Sequence, residues 1–147
     1  MALFAIGDTH LSLSANKPMD VFGGGWTGYV DKLSAGFRAL VAPEDTVVIA
    51  GMGGDLTARI LDAAPWVREY HTRLLLQPMT KPDHLREYLC REGFRLELEN
   101  AVISGKFVYT VFSAVYDGIP RELSLLERYI GRVLDGDSAD TDRKSVV

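Results

Sequence analysis

A chain of 147 residues, 47% apolar and 24% charged, is long enough for one packed core and too short for two. A formal net charge of -4 argues against a broadly basic nucleic-acid surface, and a single cysteine, Cys90, excludes an internal disulfide and a multi-thiolate zinc site. No apolar run approaches the ~20 residues of a membrane span, and Met1 to Ile6 has no positive leader, so a cytoplasmic protein is expected.

Residues 2–7 read as a short buried strand, with Asp8-Thr9-His10 at its carboxyl end. From Leu11 to Trp26 periodicity vanishes and Gly23-Gly24-Gly25 marks a loop. Val30, Leu33, Phe37, Leu40 and Val41 then recur at helical spacing before Pro43. Thr46 to Ala50 is a β-branched run that stops at Gly51-Met52-Gly53-Gly54-Asp55, which predicts a buried strand and a tight turn where backbone can approach a ligand. Leu56, Ile60 and Leu61 predict a second helix, and Arg73 to Pro78 a second apolar strand.

Thr80 with Asp83 has the spacing of a capping box for a helix that buries Leu85, Tyr88 and Leu89 and stops at Gly93. Cys90 falls within its apolar pattern and is expected to be buried. Phe94, Leu96 and Leu98 alternate with Arg95, Glu97 and Glu99, which predicts an edge strand with the leucines inward. Ser104-Gly105-Lys106 turns the chain into a more interior strand over 107–116. Pro120 opens a last predicted helix carrying Leu126, Tyr129, Ile130 and Val133, and residues 135–147 read as a disordered tail. The sum is a three-layer Rossmann-like α/β domain over 1–134, its five strands in the order 1-2-3-5-4 and mostly parallel, ending in an antiparallel hairpin.

Asp8 and His10 stand one residue apart, at a strand end where a carboxylate and an imidazole can reach one metal ion. The strand into Gly7-Asp8-Thr9-His10-Leu11-Ser12, the glycine-rich Phe22 to Trp26 segment and the helix leading to Thr46–Gly51 resemble the opening of calcineurin-like metallophosphoesterases. That resemblance implies a divalent metal pair clamping a phosphoester, with Asp8, His10 and, displaced by three residues, Asp55 as its ligands. Met52 stands where that family has an aspartate. Asp8 and His10 as solvated loop residues are the alternative.

From the central strand onward the match changes. Ile49 to Gly54, Leu75-Leu76-Gln77-Pro78, Leu85-Arg86-Glu87-Tyr88-Leu89 with Gly93-Phe94, Gly105-Lys106-Phe107 and Pro120 to Ser124 resemble the bacterial tRNA (adenine-N1)-methyltransferase family over residues 45–134. The resemblance implies a class I methyltransferase that uses S-adenosylmethionine and acts on tRNA. The acceptor adenine would lie against Gly51, Met52, Gly53 and Gly54, with Gln77 and Pro78 beside it. A turn whose glycines serve packing alone is the other reading.

The family's donor loop is echoed by Ala5 to His10, but the second strand, whose acid grips the donor ribose, has no counterpart in residues 11–44. The donor half is therefore expected to be incomplete, and catalytic residues are not assignable. Val47 to Gly51 suits both families, so a fusion at that seam is expected, with a non-catalytic scaffold as the third reading. Arg86, Arg91, Arg121, Arg128 and Arg132 are candidate phosphate contacts or simply solvated helix residues.

Overall fold

The computed structural model describes residues 1–7 and 27–131. Strands β1 (Leu3–Gly7), β2 (Thr46–Met52), β3 (Arg73–Pro78), β4 (Phe94–Ser104) and β5 (Phe107–Tyr116) form one sheet in the order β1-β2-β3-β5-β4. β1, β2 and β3 run parallel, while β5 is antiparallel to both β3 and β4. Strand order and mixed direction are as the sequence predicts. The reason is connectivity: β1, β2 and β3 are joined by helical crossovers, whereas the short turn at Gly105, with φ +61°, can only close an antiparallel hairpin. β1 is not the buried strand expected, because it is the outermost described strand and Leu3 is 66% exposed.

Among the described residues five helices accompany the sheet: α1 (Tyr29–Leu40), α2 (Gly54–Asp62), α3 (Trp66–Glu69), α4 (Pro82–Arg91) and α5 (Leu125–Ile130). Val47, Ile49, Leu74, Leu76, Phe112 and Ala114 are buried and project from one face, since Val47 pairs with Leu74, Leu74 with Ala114 and Leu76 with Phe112. Leu61 of α2, Trp66 of α3, and Leu85 and Leu89 of α4 belong to the same core. Phe37 of α1 reaches that face too, at 6.5 Å from the ring of Phe4, which pairs with Val47. Of the three expected layers, the described residues supply the sheet and one layer of helices. None of these helices is long and apolar enough to cross a membrane.

Three local expectations are corrected. Pro82 occupies the first position of α4, and the residue before a proline is driven out of the helical region, so the cap falls on Lys81 at φ +54° rather than on Thr80. Pro120 does not open a helix. Arg121 is held instead by ion pairing to Asp117 and by its amide donating to the Cys90 carbonyl, and α5 starts only after Ser124, whose side chain forms a reciprocal capping box with Glu127. In β4 the pairing slips between Leu96 and Leu98, so Glu97 is an extra residue and the faces exchange. Leu98 is consequently 56% exposed, and Glu99 turns inward, its side chain 1% exposed.

That inward acid meets Arg86 of α4, whose side chain is 4% exposed. Arg86 Nε donates to the two Glu99 carboxylate oxygens at 3.1 and 3.2 Å, and its Nη1 donates to the Arg128 carbonyl of α5. The guanidinium also lies 5.3 Å over the Phe112 ring. One buried cation thus fastens α4, β4, β5 and α5 together.

Candidate functional site

The carboxyl ends of β2 and β3 lie side by side, Ala50 opposite Gln77 and Met52 opposite Pro78. Between those pairs the register slips at Gly51, which sits at φ +80°. Only glycine takes that conformation cheaply, and a Cβ there would meet no atom within 4 Å, so Gly51 fronts open space. Its amide donates to Gln77 Oε1 at 3.3 Å, while Gln77 Nε2 donates to the Pro78 carbonyl at 3.3 Å. The carboxamide is thereby oriented across both strand ends.

The loop after β3 is stitched to the turn after β2. The Met79 amide donates to the Met52 carbonyl, and the Gly54 amide to the Thr80 carbonyl, both at 2.8 Å. Gly53 and Gly54 serve that closeness: a Cβ on Gly53 would lie 2.9 Å from Thr80 Oγ1, and one on Gly54 would lie 2.3 Å from the Lys81 carbonyl. Packing therefore explains these two glycines, whereas Gly51 has no such neighbour. The Met52 side chain is buried in the core, so only its backbone could meet a ligand.

Asp55, at the start of α2, receives Lys81 Nζ at 2.5 Å and His84 Nδ1 at 2.9 Å. The hydrogen bond from Lys81, then that from His84, lowers its carboxyl pKa below the ordinary aspartate value. These bonds clamp the first turn of α2 to that of α4 beneath the glycine turn. Between the two helices an open groove of about 390 Å³ is lined by Ala58, Arg59, Tyr88, Arg91 and their neighbours. Asp8 and His10 lie outside the described residues, as do the glycine-rich segment, Arg132 and the 135–147 tail. Among the described residues no group of three His, Cys, Asp or Glu side chains could hold a metal ion. His71 Nδ1 contacts the Tyr116 carbonyl at 2.8 Å.

The candidate phosphate-binding arginines are turned to other ends. Arg86 is buried against Glu99, Arg121 pairs with Asp117, Arg128 with Glu87 at 3.1 Å and Arg91 with Glu92 at 3.1 Å. A second cluster escaped the sequence reading. Tyr88 donates to Asp62 at 2.6 Å and accepts from Arg68 at 3.1 Å, and burial pushes the Tyr88 phenol pKa up. Its only trace in the sequence is a polar-tipped aromatic on the apolar face of α4.

The Methyltransferase domain family model matches residues 29–112, more than half of the chain. The chain belongs to this methyltransferase family. The matched span runs from α1 into β5 and includes both Gly51 and Gln77. A tRNA (adenine(22)-N(1))-methyltransferase of Bacillus subtilis (strain 168) is 36% identical over 89 residues, covering 56% of this chain and 37% of that protein. The methyltransferase domain therefore matches well under two thirds of that relative's length.

A protein of the NADB-Rossmann superfamily from Streptococcus agalactiae superposes with a TM-score of 0.60 at 20% identity, over 97% of this chain and 73% of its own. Sp1610 of Streptococcus pneumoniae, solved in complex with S-adenosyl-L-methionine, gives 0.60 at 23% identity, over 90% and 72%. At such identities these two likenesses establish the Rossmann-like fold. The phosphoesterase resemblance, the metal pair and the fusion gain no support from these comparisons.

Proposed function

We propose that this methyltransferase domain is of the tRNA (adenine-N1) type. Gly51, Met52, Gly53, Gly54, Gln77 and Pro78 form the side of the site that receives the adenine, and S-adenosylmethionine is the methyl source. The observation that carries this reading is the bond from the Gly51 amide to Gln77 Oε1, which joins the two strand ends where an open α/β sheet binds its ligands. Gly51 leaves a face free of side chain for a planar ring to approach, and Gln77 holds a carboxamide beside it. The 36% identity to the Bacillus subtilis enzyme falls on part of that relative alone, so its substrate is a proposal for this chain.

S-adenosylmethionine supplies a methyl group made electrophilic by its sulfonium. The adenine N1 lone pair needs no general base to attack such a methyl, so the chain's task is alignment and exclusion of water. The described residues do not complete a donor site. β1 is the outermost described strand, with no further strand beside it to carry an acid for the donor ribose. The proposed adenine-receiving side is the part of the site that the described residues supply. A tRNA partner makes the cytoplasm the proposed location.

Titration of isotope-labelled protein with an unmodified tRNA transcript, followed by amide resonances, tests the reading. The Gly51 amide and the Gln77 side-chain amide are expected to shift first, and Gln77→Ala to weaken binding several-fold. Shifts confined to other surfaces would overturn it.

A further inference from the structure

We propose that the groove between α2 and α4 holds backbone phosphates of an RNA, with Arg59 as their principal contact, an assignment that rests on the function proposed above. Asp55, Ala58 and Arg59 are spaced i, i+3 and i+4 on α2, and His84, Tyr88 and Arg91 are spaced i, i+4 and i+7 on α4. Each helix therefore turns one stripe to the groove. Asp55 and His84 directly follow the glycine turn and the loop after β3, so the groove begins beside the proposed adenine face. From there it runs roughly 10 Å along α4 to Arg91. Tyr88 is tied to Asp62 and Arg68, and its ring lies 6.0 Å beneath the Arg91 guanidinium, which steadies that cation.

Charge singles this groove out. The other cations on or beside it each have a carboxylate: Lys81 has Asp55, Arg68 has Asp62, Arg91 has Glu92 and Arg128 has Glu87. Arg59 has none among the described residues, so the groove carries a surplus positive charge in a chain of net charge -4. The ion pairs of Arg91 and Arg128 use one nitrogen each, Nε and Nη2, while a guanidinium has five N–H donors. Arg128 also keeps a buried Nε with no partner among the described residues. Exposed ion pairs are weak, whereas a phosphate takes paired N–H bonds from an arginine fork, so it can join these side chains without displacing the fold. Arg59, Arg91 and Arg128 stand on three separate helices around the groove. A backbone leaving the adenine face meets cations from all three, which suits a polyanion better than an isolated anion.

Affinity of the full chain for an unmodified tRNA transcript, measured from about 50 to 200 mM salt, tests this. Arg59→Gln is expected to weaken binding several-fold and to lower the slope of log affinity against log salt by about 1. Arg59→Lys should keep the slope, and Arg38→Gln, at an exposed position of α1 outside the groove, should change neither quantity. In isotope-labelled protein the Arg59 Nε proton is expected to exchange fast with solvent in the free chain, and to shift with tRNA but not with inorganic phosphate at equal phosphate concentration. Shifts at the Gly51 and Gln77 amides with an unchanged slope in Arg59→Gln would overturn the groove and leave the adenine site standing. A lowered slope with no shift at Gly51 or Gln77 would overturn the adenine site and support the groove. Equal loss with Arg38→Gln, a matching shift with inorganic phosphate, displacement of the transcript by polyglutamate, or an Arg59 Nε proton already protected in the free chain by a segment of that chain would each overturn the proposal.

Discussion

Replacing Glu99 by glutamine keeps the shape of the side chain and removes its charge, leaving the Arg86 guanidinium buried without a counter-ion. With the two side chains 4% and 1% exposed, little solvent is available to compensate. Breaking one partner of such a pair costs about 3–5 kcal/mol. For a urea m-value of roughly 1.5 kcal/mol/M, that is a drop of about 2–3 M in the unfolding midpoint. The paired substitution Arg86→Met with Glu99→Leu removes both charges and keeps the volume, so it should recover most of the loss. Equilibrium urea unfolding of Arg86→Met, Glu99→Leu and the double, alongside Glu99→Gln and read by far-ultraviolet circular dichroism, gives the coupling directly. A Glu99→Gln midpoint within about 0.5 M of wild type, or single effects that simply add in the double, would refute a buried, mutually dependent pair.

Two further outcomes follow from the geometry. Gly54→Ala places a Cβ 2.3 Å from the Lys81 carbonyl, so α2 and the 80–81 loop must separate. A melting temperature several degrees lower is expected, whereas Gly36→Ala, with open space around its Cβ inside α1, should match or exceed wild type. The side-chain hydrogen bond from Arg121 holds the Asp117 carboxyl down at about 2, below its ordinary 3.8. A carboxyl lowered in the folded state adds stability that is present above about pH 4 and lost as pH falls toward 2. Asp117→Asn should therefore flatten the stability profile within that window and leave its shape above pH 5 unaltered.

The parts of the fold legible in the sequence are those fixed by short-range signals. The apolar runs of β2 and β3 show in single stretches, and Gly105 between two apolar strands announces the antiparallel hairpin that sets the strand order. Two of the failures come from single inserted or preceding residues. Glu97 adds one residue to a period of two and exchanges Leu98 with Glu99, and Pro82 moves a cap by one position. The start of α5 was obscured because Pro120 and Ser124 both mark helix beginnings, and only the Asp117–Arg121 pair and the bond to Cys90 decide between them. At the strand ends, Gly51 and Gln77 are each visible as residues, but their bond spans 26 positions and no local pattern encodes it. The same holds for Asp55 with Lys81 and His84.

Calorimetric titration of the full chain with S-adenosylmethionine bears most directly on the proposed division of the site into an acceptor side and an incomplete donor side. No saturable heat is expected at micromolar concentrations, under conditions where an unmodified tRNA transcript still shifts the Gly51 and Gln77 amides. Saturable micromolar binding of S-adenosylmethionine would contradict it.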